Sequence, residues 1–395
     1  MPETVVLAPA SYIVDPDTGS DPERPWRLMQ GLSRRGVRVV AVARKVARAT
    51  ELGEGVTVRL VPGAIPTSAT GRIIDRVRLY LYARAVALNE VAANGVLAVH
   101  HFGPCARQSP SLLPRLPVPF VYGPMPGATP KKGLSGGDWA YWLGLPDSSS
   151  YRALASFAVS KAIAPGAHFL WRRTISRADA VTVEAAQNIP PERPDSIVIP
   201  PGVDTAHFAP KVGGQVPGRI IAVGLLAWRK GFDVLIRAAA STIREVPNAH
   251  LLIAGDGPQK SALERLAADL GIGSQVRFLG RVARRDLPAL YQSSAVACHP
   301  ARLDTFPLAP IEARACGLPV LVSDSGALRE MVGEAGLIHH VENFEELADQ
   351  LKTLLRDDKL RQEIGTGARA RALERYSIDA MAEAYLALYR KLPRA

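Results

Sequence analysis

The chain has 395 residues, of which 47% are hydrophobic and 22% charged. That balance excludes a disordered or collagen-like polymer and, at roughly 100 to 200 residues per domain, predicts two domains. The formal net charge of +11 comes from 48 basic and 37 acidic side chains, and residues 1–200 hold 23 and 15 of these, so the surplus lies in the first half. Such a bias draws phosphorylated small molecules, anionic lipid or nucleic acid. No zinc finger, basic-aromatic motif or long Lys/Arg run occurs, which argues against nucleic acid.

The first elements are β-rich. Thr4–Ala8 reads as a strand, because Glu3 stands where a secretory signal would be basic and the apolar run is short. Further strands are predicted at Val37–Ala43, Val56–Leu60, Val96–His100, Phe120–Tyr122, Ala180–Val183 and Ser196–Ile199, with helices near Trp26–Arg35, Ile73–Ala93 and Arg152–Ser176. Within the last of these, Ala153–Trp171 is interrupted by Lys161, Pro165 and His168, short of the ~20 apolar residues of a spanning helix. Alternating strands and helices predict a parallel, helix-covered sheet. Pro200-Pro201-Gly202 and Gly213-Gly214 then punctuate the chain, and the pattern restarts.

The second series runs strand Ile220–Val223, helix Gly231–Arg244, strand His250–Ala254, helix Gln259–Leu270, strand Val276–Leu279, helix Asp286–Gln292, strand Val296–Cys298, helix Leu308–Ala315 and strand Val320–Val322. Phe344–Leu355 and Leu360–Arg375 read as amphipathic helices, and Ser377 as the cap of a last helix ending near Leu392. Two successive doubly wound α/β domains are therefore expected, at 1–199 and 200–376, with a terminal helix, 377–395, able to pack back on the first. Ligands of such sheets sit beyond the carboxyl ends of the strands, so the loops after strands carry the chemistry.

After Ile220–Val223 comes Gly224-Leu225-Leu226-Ala227-Trp228-Arg229-Lys230-Gly231, a glycine turn followed by a basic pair where a helix begins. Unpaired N–H groups at a helix start, with a lysine beside them, make an anion site in outline. After the next strand, Gly255-Asp256-Gly257-Pro258 permits close backbone approach. Gly280-Arg281-Val282 follows the third and offers backbone groups to a base edge. Any one of these is also an ordinary βα turn.

The densest cluster is Pro300 to Val320, in which Asp304 precedes a helix and Glu312 lies eight residues on, inside it. With Asp304 at the helix mouth both carboxylates can face one cleft, with N–H groups near Thr305, Phe306, Pro307 and Leu308 between them. That suits a sugar nucleotide: one acid for ribose hydroxyls, the other for the sugar, and amides for the diphosphate. A plainer reading is a dipole-favouring Asp and an internal Glu in a salt bridge. Cys105, Cys298 and Cys316 are odd in number and in no CxxC pair, so neither disulfides nor zinc are indicated and a reducing, cytoplasmic setting fits. Asp15-Pro16-Asp17 spells DxD, a metal-binding pattern elsewhere, but proline between the acids reads as a turn, and no metal or cofactor is expected.

In this order the pieces resemble the retaining family 4 glycosyltransferases of the GT-B type, most closely from Pro200 to Gly336. Val198 to Thr205 is similar to the family's interlobe segment, Lys230-Gly231 to its phosphate lysine, Gly255 to Pro258 to its second loop, and Asp304 to Glu312 to its two-acid motif. The resemblance implies two Rossmann-like domains facing across a cleft and transfer of a sugar from a nucleotide-diphosphate donor to a hydroxyl acceptor. Lys230 would hold the diphosphate, Val282 backbone the base, Glu312 the ribose and Asp304 the donor sugar. Val96 to Gly103 resembles the strand carrying the family's active-site histidine, which aligns with His101, or in second place His100.

Three positions depart from the pattern. Leu225 replaces the usual Arg, so Arg229 or Arg302 is expected to supply the missing diphosphate contact. Asp304 replaces Glu, with roughly 1.5 Å less reach. Gly19-Ser20 replaces a glycine pair. Two other readings share these residues: a sugar-nucleotide epimerase or hydrolase, and a non-catalytic donor-binding subunit, for which Leu225 is the best argument. The basic first half, with Lys131-Lys132, Trp139, Trp142 and Trp171-Arg172-Arg173, also suits peripheral docking at the inner face of an anionic membrane, although Trp139 and Trp142 equally fit a core-facing helix stripe. The donor base and sugar and the acceptor leave no side-chain record.

Overall fold

The computed structural model describes residues 3–9, 13–16, 20–63, 65, 69–103, 110–125, 166–211 and 213–393. Cys105, Asp17, Gly19, Lys131, Lys132, Trp139 and Trp142 lie outside them, as does the 152–165 part of one expected helix. The chain forms two compact units, Met1–Gly202 with Ile378–Ala395, and Val203–Ser377. The divisions thus fall at Gly202/Val203 and Ser377/Ile378, where the sequence pattern put them at 199/200 and 376/377.

Among the described residues of the first unit the strands are β1 (Thr4–Pro9), β2 (Ile13–Val14), β3 (Arg38–Ala43), β4 (Lys45–Val46), β5 (Val56–Leu60), β6 (Val96–Phe102), β7 (Phe120–Met125), β8 (Ala180–Val183) and β9 (Ile197–Val198). Seven of them form a parallel sheet in the order β5-β3-β1-β6-β7-β8-β9, while β2 and β4 pair separately. Both faces of this sheet are covered, so its strands are apolar on both sides. Val5, Leu7, Val39, Ala41, Ala98 and Phe102 face the helices Ser20–Ser33 and Ile378–Lys391 through Leu28, Met29, Leu32, Met381 and Tyr385. Val6, Ala8, Val40, Val42 and Val99 face helix Ala69–Asn94 through Leu79, Tyr80, Ala83 and Ala87. Period-two alternation along β6 therefore sends His100 and His101 to opposite faces.

The first helix begins at Ser20, ahead of the expected Trp26, and runs through Pro25. Residues 23–29 are all buried, and that burial outweighs the backbone hydrogen bond lost at the proline. Strand β6 runs two residues further than expected, which places His101 inside the strand and not after it.

The second unit holds β10 (Arg219–Val223), β11 (His250–Ala254), β12 (Val276–Gly280), β13 (Val296–His299), β14 (Val320–Ser323) and β15 (Leu337–His339), a parallel sheet in the order β12-β11-β10-β13-β14-β15. Helices Phe232–Glu245 and Phe344–Arg356 pack on it through Leu235, Ile236, Ala239, Leu347 and Leu351. Strand β15 and helix Leu328–Val332 had no clear signal, being three and five residues long.

Both sheets have one topology: the chain starts in the middle, winds outward one way, then returns to the centre and winds the other way. The direction reverses between β1 and β6 in the first unit and between β10 and β13 in the second. Loops leaving the two strands at such a reversal diverge to opposite faces and leave a crevice at the carboxyl edge. Among the described residues no helix is long and apolar enough to cross a membrane.

Candidate functional site

At the reversal of the second sheet, the loop after β10 meets the loop after β13. The first carries Gly224 and then a single 3₁₀ turn, Trp228–Lys230, closed by Gly231 at φ 66°. A Cβ on Gly231 would overlap the Pro300 carbonyl oxygen, so the two loops can press together only where this residue has no side chain. Leu303 N–H donates to Arg229 O at 3.1 Å across this contact, while Ser325 Oγ, from the loop after β14, donates to Arg302 O at 2.8 Å and steadies the second loop from its other side. The contact is thus stitched by backbone as well as shaped by packing.

The glycines of the next loop have a related job. Gly224 N–H donates to Ala254 O at 3.0 Å, Leu226 N–H to Asp256 O at 2.9 Å, and Gly255 N–H to Gly280 O at 2.8 Å. Cβ atoms on Gly255 and Gly257 would strike the carbonyl oxygens of Gly224 and Leu226. The close approach inferred for this loop is therefore an approach to the neighbouring loop, and Asp256 is exposed with its Oδ1 accepting from Gly257 N–H at 2.8 Å. Val282 is half-buried just beyond β12.

Asp304 is 7% exposed and collects positive groups. Its Oδ2 accepts from Lys230 Nζ and from His299 Nε2, the latter at 2.9 Å; Oδ1 accepts from Thr305 N–H at 3.1 Å and lies 3.7 Å from Arg229 Nη1. Burial works to push the Asp304 carboxyl up, but Lys230, His299 and Arg229 outweigh it and hold the group well below the usual carboxylate range. Burial lowers the His299 pKa against the opposing pull of Asp304, which favours the neutral imidazole at pH 7. A carboxylate has no proton to give, hence Nε2–H is the donor.

Glu312, 2% exposed, lies on helix Ala309–Ala315 and pairs with Arg284 from the loop after β12. Arg284 in turn lies over the Phe208 ring, 5.1 Å from its centroid. Each acid is therefore held by a cation from a different loop: Asp304 by Lys230, Glu312 by Arg284. Together they tie the loops after β10, β12 and β13 to one edge of the sheet.

Two expectations are corrected. Arg302 is not a spare diphosphate ligand, because Nη1 and Nη2 each reach Asp233 at 2.7 Å, Nε reaches Glu342 Oε1 at 2.6 Å, and Nη1 also donates to Trp228 O at 2.9 Å. It is a strut that joins the two loops. Pro307 cannot serve as an amide donor, since proline has no N–H, and Pro310 removes another near the helix start. Phe306 is buried with its ring 6.1 Å from that of Tyr376, and Leu308 is buried too, so their side chains belong to the core.

In the first unit both histidines of β6 are wholly buried. His100 has Nε2 3.1 Å from Gly123 O and Nδ1 2.6 Å from Tyr389 Oη. A carbonyl only accepts, so Nε2 carries the proton and Nδ1 accepts from the tyrosine. Burial lowers its pKa to about 3, a structural histidine. On the other face, His101 Nε2 is 3.2 Å from Tyr80 Oη, with the Tyr122 ring at 5.0 Å.

His299, Arg284 and Asp233 escaped the sequence reading. His299 left a trace, closing an apolar strand five residues before Asp304; the other two carried no periodic or motif signal.

Residues 212–371 match the family described as Glycosyl transferases group 1. A GDP-mannose-dependent alpha-(1-6)-phosphatidylinositol monomannoside mannosyltransferase of Mycolicibacterium smegmatis is 31% identical over 197 residues, 45% of this chain and 52% of that protein. A D-inositol 3-phosphate glycosyltransferase of Corynebacterium urealyticum is 33% identical over 241 residues, 55% and 56% of the two chains. The chain thus spans about half the length of these curated relatives. Among solved structures, the sucrose-phosphate synthase of Thermosynechococcus elongatus superposes with TM-score 0.68 at 20% identity over 99% of both chains. HepE of Anabaena in complex with UDP-glucose gives 0.66 at 17% over 98% of both. These likenesses establish the two-domain α/β GT-B fold.

Proposed function

The second unit of this chain belongs to the glycosyl transferases of group 1, and from that premise we propose that the protein moves a sugar from a nucleotide-diphosphate sugar to a hydroxyl acceptor with retention of anomeric configuration. The observation that carries the reading is the meeting of Lys230, Asp304 and His299 where the second sheet reverses direction. A pyrophosphate arriving at the loop 224–231 offers Lys230 two negative charges in exchange for one carboxylate. Lys230 and Arg229 then meet the charge that grows on the departing diphosphate, a preorganised role that calls for no metal ion. Asp304 accepts from hydroxyls of the transferred sugar, Glu312 from those of the ribose, and backbone near Val282 meets the base.

In the bond-making step the acceptor oxygen attacks the anomeric carbon from the face that the diphosphate leaves. The carbon–oxygen bond to phosphate breaks and the acceptor proton passes to the leaving phosphate oxygen. His101, at the reversal point of the first sheet, is assigned to the acceptor side. The charge surplus of residues 1–200 supports an acceptor that bears phosphate, as the D-inositol 3-phosphate named for one relative and the phosphatidylinositol monomannoside named for another do. A cytoplasmic protein peripheral to an anionic membrane is consistent with the same surplus.

Calorimetric titration with GDP-mannose, named for one relative, and UDP-glucose, bound in one structural neighbour, followed by proton NMR of the product anomer, tests the proposal. Binding of one donor, transfer to a phosphorylated polyol and an unchanged anomeric configuration are expected. Absence of heat with any nucleotide sugar overturns it. His101→Ala should lower turnover while leaving donor binding intact.

A further inference from the structure

Asp304 Oδ2 is shared by two partners of different kind. Lys230 reaches it with a charged ammonium on a long side chain that leaves a 3₁₀ turn. His299 reaches it at 2.9 Å with a neutral ring anchored in β13, a strand paired on one side with β10 through Ile221 and Ala297, and on the other with β14 through His299 and Val322. His299 is 5% exposed. The other groups at this carboxylate, Thr305 N–H and Arg229, lie on Oδ1.

An incoming polyphosphate treats the two partners differently. It attracts the ammonium, which has four rotatable stem bonds to follow it with, and exerts no comparable pull on a neutral imidazole held in a sheet. When Lys230 moves to phosphate, Asp304 loses its strongest partner while still buried. A carboxylate so released would swing or take up a proton unless another donor keeps its oxygen.

We infer that His299 is the positioning residue of this site: its Nε2–H holds Asp304 Oδ2 in place while Lys230 exchanges the carboxylate for donor phosphate. Donor entry is then an exchange of partners at Lys230 with His299 as the fixed point, and Asp304 keeps one oriented oxygen for the sugar. The inference rests on the proposed function and deepens it by naming what fixes the sugar-recognising acid.

The test compares His299→Phe, which keeps a buried ring without a donor, and His299→Asn, which restores an N–H, with the unaltered full chain. Each is titrated with UDP, GDP, UDP-glucose and GDP-mannose. The ratio of sugar-nucleotide to bare-nucleotide affinity isolates the sugar contact. His299→Phe should leave the bare nucleotide within about twofold and reduce that ratio about 10- to 100-fold, the range of a hydrogen bond to a charged group, with His299→Asn recovering part of the loss. An unchanged ratio in folded His299→Phe overturns the inference. Failure of the unaltered protein to bind any of the four ligands would instead overturn the proposed function.

A second readout uses the unaltered protein, labelled in its imidazole nitrogens. The protonated Nε2 signal of His299 should persist when UDP or GDP binds. Its conversion to the other tautomer would overturn the inference whatever the variants do.

Discussion

Replacing Lys230 by Met removes the cation at Asp304 while keeping most of the side-chain volume. Both partners are largely enclosed, with side-chain exposures of 11% and 7%. Stripping one member from such a pair costs about 3 to 5 kcal/mol when the remaining charge is abandoned. Asp304 is not abandoned, because His299 stays at 2.9 Å and Arg229 at 3.7 Å. The expected loss is therefore nearer that of one charge-assisted hydrogen bond, about 2 kcal/mol at pH 7. The pH dependence follows from Asp304, whose folded pKa lies below its unfolded value of 3.8. Its contribution is complete above the unfolded value and is lost as the pH falls through 3.8 and below, since the unfolded chain then takes the proton first. Without Lys230 the depression is smaller, so parent and variant should converge on acidification. Urea melts at pH 7, 5 and 3 measure the gap, which should be level between pH 7 and 5 and smaller at pH 3, and nucleotide-sugar titration at pH 7 should show affinity weakened about 10- to 100-fold. A gap that already narrows between pH 7 and 5, one undiminished at pH 3, or a variant as stable as the parent at pH 7, would refute the reasoning.

Gly231→Ala forces a Cβ onto the Pro300 carbonyl oxygen at a backbone φ of 66° and should lower the melting temperature of the second unit by several degrees, a cost of about 2 to 4 kcal/mol read by calorimetry. Arg302→Lys cannot span Asp233, Glu342 and Trp228 O together, so it should destabilise the second unit by about 1 to 3 kcal/mol in urea while bare-nucleotide affinity stays within about twofold. His100, lowered to about 3 by burial, binds its proton first in the unfolded chain, so the first unit loses stability as the pH falls from 6.5 toward 3. His100→Gln should flatten that slope, which reaches about 1.4 kcal/mol per pH unit at its steepest, in urea melts between pH 6 and 4.

The alternation of short apolar runs with amphipathic stretches, which read as two doubly wound sheets, was legible because strand and helix periods are local properties of the chain. So was the order of the loops that matter, since each follows a strand whose apolar character marks it. The residue types of the site, Lys230, Asp304 and Glu312, stood out for the same reason: charges placed next to strand ends and helix starts break the pattern around them. What these residues touch is another matter. Arg302 looked like a free cation beside Asp304, yet it is spent on Asp233 and Glu342, residues 69 and 40 positions away. Gly255 and Gly257 read as permitting close backbone approach, and the backbone they approach is that of the neighbouring loop, at Gly224 and Leu226.

Periodicity and residue type determined that there are two parallel sheets, where most of their strands fall and which loops carry charge, because hydrophobic burial imposes a repeat that a strand or helix of sufficient length displays by itself. Tertiary structure alone decided the partners: that His299 and Lys230 share one oxygen of Asp304, that Arg284 takes Glu312, and that His100 and His101 face different helices. Hydrogen bonds and ion pairs act over about 3 Å in space and leave no repeat along the chain, so only the folded arrangement of strands reveals them.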